Sequence, residues 1–307
     1  MRSLESFADF LLPIDRIVTD RLIPVLFGSQ TTLNDEFREI FTLSPINGGL
    51  GLPLLQQEAT VHHSVSKLVT QAHTLSIMEQ DTALRTTDAD GNTQEQIKAT
   101  AKTLSAERKK VKIERLNAEI SPDLLSVVKR TRDKRASSWL NALPVAEQKF
   151  SLNKEEFRDA LRLRYNMPLS NLPSYCCCGE QFSIEHALSC KKGGFISKRH
   201  DKIRNLLVSL LAKVCHDVEC EPHLLPLTGE TLHLRSANAQ DMARLDAKAR
   251  SFWQEGVVAF FDVRVTHVNA NSQSHLDTSC IFRKHEDSKK REYLQRVLEI
   301  DHGSFTH

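Results

Sequence analysis

Apolar residues recur every three or four positions through the early part of the chain, as at Leu4, Phe7 and Leu11 and again at Val65, Leu68 and Val69. That period predicts helices over most of residues 1–80. The stretch "SPINGGLGLP" at 44–53 interrupts it. With no buried strand before it and no helix opening after it, Gly48, Gly49 and Gly51 read as turn residues rather than as a phosphate loop. The polar run "RTTDADGNTQEQ" at 85–96 has no period and predicts a linker. A long charged helical region then runs to about Arg135, and "SSWLNALP" offers Ser137 or Ser138 as a cap before Trp139. "NKEEFRDALRLRYN" turns Phe157, Leu161 and Tyr165 to one face of a further helix.

From residue 196 the pattern changes. "KRHDKIRNLLVSLLAKVC" predicts a helix whose Ile203, Leu206, Leu207, Leu210, Leu211 and Val214 form one apolar stripe. Three β-like segments follow, "HLLPL", "ARLDAKA" and "GVVAFFDVRVTHV", the last two separated by the turn signal Gln254-Glu255-Gly256. A final helix, "FRKHEDSKKREYLQRVLEI", completes the pattern. The expectation is an α+β chain with a mostly helical N-terminal half and a small α/β domain over about 196–307.

Length and composition allow about two packed domains, with 307 residues of which 40% are hydrophobic. The longest apolar runs, such as "IPVLF" at 23–27, fall far short of the roughly twenty residues that span a bilayer. "MRSLESFADF" lacks the apolar core of a secretory signal, so the sequence predicts an intracellular protein with no membrane span. A net charge of +2 points to no partner by itself. Basic residues nevertheless gather at 108–135, 191–204 and 283–296, an arrangement that suits either a phosphate backbone or a solvated helix face.

Four of the seven cysteines lie with one histidine inside "YCCCGEQFSIEHALSC", residues 175–190. An odd count in a reducing compartment favours metal ligands and buried thiols over disulfides. Counted from Cys176 and Cys178, the spacing is Cys-x-Cys, seven residues, His186, three residues, Cys190, which suits tetrahedral zinc. Cys177 could replace one member of the pair, and Gly179 offers the positive φ that a backbone wrapping a metal needs. Four protein ligands close such a site and make it structural.

Downstream, Asp246 in "RLDAKA" and Asp262 in "AFFDVRV" fall on consecutive β-like segments, with Glu221 in "ECEP" as a third acid. A carboxylate among Phe260, Phe261, Val263 and Val265 is costly unless paired or metal-bound. Two or three carboxylates at strand ends suit magnesium, which takes oxygen ligands and leaves positions for water and a phosphodiester. In the last helix, Phe282, Lys289, Tyr293, Val297 and Ile300 share a stripe, so Lys289 faces the sheet while Lys290 lies about 100° round. Arg264, two residues past Asp262, is a second candidate cation.

These residues together carry a resemblance. "CCCGEQFSIEHALSC", "RHDKIRNLL", the Glu221-Pro222 pair, "RLD", "FFDVRV" and "HEDSKKREY" resemble the C-terminal region of polyproteins from non-LTR retrotransposons that carry a restriction-like endonuclease of the PD-(D/E)xK superfamily. There a Cys/Cys/His/Cys zinc knuckle directly precedes the nuclease. "IPVLFG" and "SPINGGLGLP" look like the segment that follows the reverse transcriptase palm and thumb. The resemblance implies a reverse-transcriptase-derived helical remnant at 1–84, a linker at 85–100, a helical connector at 101–170, a zinc knuckle at 171–195 and an endonuclease domain at 196–307. Asp246 would match the first acid and Asp262 the second. Lys289 or Lys290 would match the lysine, which in many members lies where Arg264 stands here. Lys198, Arg199, His200, Arg204, Arg264 and Lys290 would contact the backbone of DNA or RNA.

Three features depart from the pattern. Leu245 replaces the motif's proline, no Tyr-x-Asp-Asp polymerase signature occurs, and the chain stops at "HGSFTH" where a further apolar strand was expected. The implied activity is magnesium-dependent DNA nicking in the nucleus. The alternative is a catalytically inactive nucleic-acid-binding remnant of the same polyprotein.

Overall fold

The computed structural model describes residues 7–28, 34–80, 94–148, 150–238, 243–268, 273 and 276–307. Leu4 and residues 85–93 of the expected linker lie outside them. The chain divides into two compact units, Met1–Ser170 and Asn171–His307. Among the described residues, four strands in one sheet and helices through both units make an α+β fold.

The first unit is helical. Helices α1 (Ala8–Ile17) and α2 (Ile23–Phe27) run on through a π-turn at Val18–Leu22. Pro24 accounts for the widened turn, since it has no N–H to give the carbonyl four residues back and its ring crowds that carbonyl. Then come α3 (Asp35–Phe41), α4 (Leu55–Met78), α5 (Gln94–Glu119), α6 (Pro122–Thr131) and α7 (Lys154–Arg164). Because α5 begins at Gln94, residues 94–100 are helical rather than linker. Phe27, Ile40, Phe41, Val128, Leu161 and Tyr165 form the core, with Phe157 packed against it. Gly48 (φ +94°) and Gly51 (φ +72°) make the turn at 44–53. Buried Asp15 accepts hydrogen bonds from the backbone N–H groups of Leu55 and Gln56, so an aspartate 40 residues away caps α4.

The second unit begins with a small hairpin closed by a Tyr175–Gln181 bridge, then α8 (Ile184–Ser189) and α9 (Phe195–Leu211). Strands β1 (His216–Cys220), β2 (Ala247–Arg250) and β3 (Val258–Phe261) follow. After them come α10 (Thr278–Lys289), a π-turn at Lys290–Leu294, α11 (Gln295–Glu299) and β4 (Ser304–Thr306). The sheet order is β1-β2-β3-β4, antiparallel for the first two pairs and parallel for the last. Side-chain alternation gives the sheet two buried faces. Ala247, Ala249, Ala259 and Phe261 meet Leu207, Val208 and Leu211 of α9, whereas Phe260 and Leu245 meet Tyr293 and Val297 beyond α10.

Several sequence expectations change here. "HLLPL" is not a strand: only His223 bridges, to Arg244, because Pro226 within it has no N–H for a ladder and Leu225 N–H goes instead to Asp301 Oδ1 at 3.1 Å. The first strand is the polar "HDVEC", which its composition hid because it lies at the sheet edge, where only Val218 packs inward. "GVVAFFDVRVTHV" is strand only through Phe261. The α9 stripe is narrower than expected, with Ile203, Leu206, Leu210 and Val214 exposed, since short strands of alanine offer the helix a small seat. Within "HGSFTH", Ser304–Thr306 form β4.

Candidate functional site

In the hairpin at 175–190, Cys176 N–H donates to the Glu180 carbonyl (2.8 Å) and Gly179 N–H to the Cys176 carbonyl (2.9 Å), with Gly179 at φ +92°. Ser183 caps α8 by accepting from His186 N–H at 3.0 Å, which fixes the first turn that carries the imidazole. As a result Cys176, Cys178, His186 and Cys190 each bring one ligand atom within 4.8 Å of the others. The Cys176 and Cys190 sulfurs are 3.8 Å apart, and Cys178 Sγ is 3.2 Å from His186 Nε2. Thiolates bound to zinc at tetrahedral corners stand about 3.8 Å apart, so the cluster fits the metal. Gly193 N–H donates to Cys190 Sγ at 3.3 Å and, as the largest influence, lowers that thiol to about 7, which favours the ligating thiolate. Exposed Cys177 turns instead to the Lys192 carbonyl. The four ligands can hold a metal ion such as zinc.

The second constellation follows from strand register. Cys220 pairs with Ala247, Ala247 with Phe261, and Phe261 with Thr306. The next residue at the same end of each strand is Glu221, Asp246, Asp262 and His307. The ladder continues between them: Glu221 N–H donates to the Asp246 carbonyl, Asp246 N–H to that of Phe261 and Asp262 N–H to that of Thr306, each at 3.0 Å. One end of the sheet thus carries three acids and a histidine in a row. The three acids line a cleft of about 530 Å³ together with His200, Arg204, Arg264 and Lys289, whereas His307 lies outside its lining.

Asp262 is buried, and its Oδ2 has no hydrogen-bond partner among the described residues. Lys289, in the last turn of α10, stands 3.4 Å from Asp262 Oδ1 and 3.5 Å from Glu292, with Nζ 4.9 Å from the Tyr293 ring centre. Burial raises the Asp262 carboxyl above its ordinary value, opposed by Lys289 and reinforced by Asp246. Asp246 is fixed by two contacts: its Oδ2 accepts from Val263 N–H at 2.6 Å, and its Oδ1 lies 3.3 Å from His200 Nε2. His200 Nε2 also donates to the Val263 carbonyl at 2.9 Å. His200 therefore orients Asp246 rather than reaching outward. Its place in a basic run disguised that in the sequence, and His307 gave no signal until the register was known.

The remaining expected residues divide. Glu221 is clamped, with Oε1 bonded to Arg204 and Oε2 3.1 Å from Arg244. Arg204 also meets Asp201 at 3.3 Å, so it is tied to carboxylates rather than presented to a phosphate. Lys290 pairs with Glu286 at 2.6 Å and does not line the cleft. Arg264 and Lys198 are exposed and Arg199 is half-buried. Among the described residues, the zinc-type cluster is the only group of three or more such ligands within 4.8 Å of one another. Asp246, Asp262 and Glu221 share the cleft without meeting in one ligand sphere. Two carboxylates and a lysine in one cleft have the chemistry to hold a hard divalent cation and to offset phosphate charge.

No protein-family model and no curated protein matches the chain. Among the described residues no helix is long and apolar enough to cross a membrane.

Proposed function

We propose that residues 196–307 form a magnesium-dependent DNA endonuclease, directly preceded by a zinc knuckle at 171–195 and carried in a fragment of a non-LTR retrotransposon polyprotein acting in the nucleus. The observation that carries this reading is the meeting of Asp262 with Lys289 at 3.4 Å, in a cleft that Asp246 also lines. Asp246 and Asp262 would hold magnesium, which supplies a polarised phosphate and an activated water. Lys289 would neutralise charge developing on the phosphate, and its pairing with Asp262 keeps the ammonium inside the cleft. His200 keeps Asp246 in place. Arg264, exposed in the cleft lining, would meet the strand backbone. Supercoiled plasmid incubated with the protein and Mg²⁺ should be nicked, and Asp262→Ala should lower the rate at least about 10²-fold. Equal rates would reject these roles.

A second reading has its own support. Glu221 is held by two arginines and Leu245 stands at the motif's proline, as in a decayed site that still binds nucleic acid. Zinc retention and salt-sensitive DNA binding without nicking would select it.

A further inference from the structure

We infer that the apolar pocket adjoining Asp262 is a stacking subsite for one unpaired nucleobase of the DNA strand whose phosphate enters the acidic cleft. This rests on the endonuclease reading. The pocket measures about 530 Å³ and shares Asp262 and Arg264 with the cleft, so a strand laid along the carboxylates has a path into it. Its wall is aromatic, from Phe252, Trp253, Phe261 and Phe282.

Phe252 and Trp253 sit in the β2–β3 turn with 39% and 64% of their surfaces exposed, a large apolar area left in water. The turn is held in place. Ser251 N–H donates to the Val257 carbonyl at 2.9 Å, Gly256 N–H to Ser251 Oγ at 3.0 Å, and Trp253 Nε1–H to Thr306 Oγ1 at 2.9 Å. Phe252 stands edge-on to both Trp253 (4.8 Å, 88°) and Phe261 (5.1 Å, 89°), which joins the turn to the sheet beside Asp262. An indole so fixed loses little freedom when a flat ligand stacks on it. Beside the acids Asp262 and Glu286, the lining offers the cation Arg264 to a phosphate of the strand, a contact that an aliphatic partner would leave unused. A base inside a duplex has both faces covered by its neighbours, so only an unpaired base offers a face to this wall.

The test uses the full chain with Trp139→Phe, which leaves Trp253 as the one remaining tryptophan of two. Magnesium is withheld so that no strand is cut. A duplex carrying a single-stranded flap should quench Trp253 fluorescence, whereas the same duplex with blunt ends should not. Trp253→Ala, followed by anisotropy of labelled DNA, should weaken flap binding at least about fivefold, the loss of one stacked base, and leave blunt-duplex binding as it was. Trp253→Phe keeps a stacking ring and should restore flap affinity. No quenching by the flap, equal weakening on both DNAs, or failure of phenylalanine to restore affinity would each overturn the subsite. Nicking with Mg²⁺ is read separately. Flap-specific quenching without nicking would remove the endonuclease and keep the subsite, and nicking without quenching would do the reverse.

Discussion

Asp262 concentrates the physics of the proposed site in one side chain. Its carboxylate is buried and raised in pKa chiefly by desolvation, so within the folded chain the proton is held to higher pH than in the unfolded one. The folded state therefore binds more protons between the ordinary aspartate value of 3.8 and the raised one, and stability falls as pH climbs through that window. Asp262→Asn removes the ionising group. In magnesium-free buffer the stability of the variant relative to wild type should thus grow between pH 4 and pH 7, measured as the difference in urea midpoints. A constant difference would contradict the burial account. Lys289 and Lys290 form a second residue-scale contrast. Lys289→Ala should lower nicking about 10²-fold while Lys290→Ala, which loses only a surface pair with Glu286, should stay near wild type. The helical phase of "HEDSKKREY" separated these neighbours in the sequence because α10 remains a regular α-helix as far as Lys289.

At the scale of elements, the knuckle was the most legible, because its ligands, turn glycine and capping serine all fall within a short run and need no distant strand to converge. Adjacency left one ambiguity, Cys177 against its neighbours, and the backbone resolves it by turning that thiol toward the Lys192 carbonyl. Cys177→Ser should therefore keep one zinc per chain, and Cys190→Ser should lose it, as read by elemental analysis after dialysis. Loss in both would mean a different ligand set. Helix α7 was equally clear, its Leu161 and Tyr165 now in the core. Strands were harder. β1 is polar because it is an edge, and β4 has only three residues and pairs across a long connection. The breadth of the α9 stripe overstated its burial, since period records which residues share a face and not how much surface awaits them.

The whole molecule comprises two compact units, a helical one and one that joins the knuckle to the mixed sheet. The candidate acids could be chosen from sequence because carboxylates next to apolar strands stand out. Their alignment could not, since it depends on a register linking residues 220, 247, 261 and 306 through pairings that no local pattern encodes. The same register puts His307 beside Asp262, with Nε2 3.8 Å from Oδ2. The account as a whole depends on that strand end holding a divalent cation. Manganese, an oxygen-seeking substitute for magnesium, can be located directly by its anomalous scattering in crystals of the protein. The account predicts one peak between the Asp246 and Asp262 carboxylates that disappears in Asp262→Asn, and no peak there at saturating manganese would contradict it.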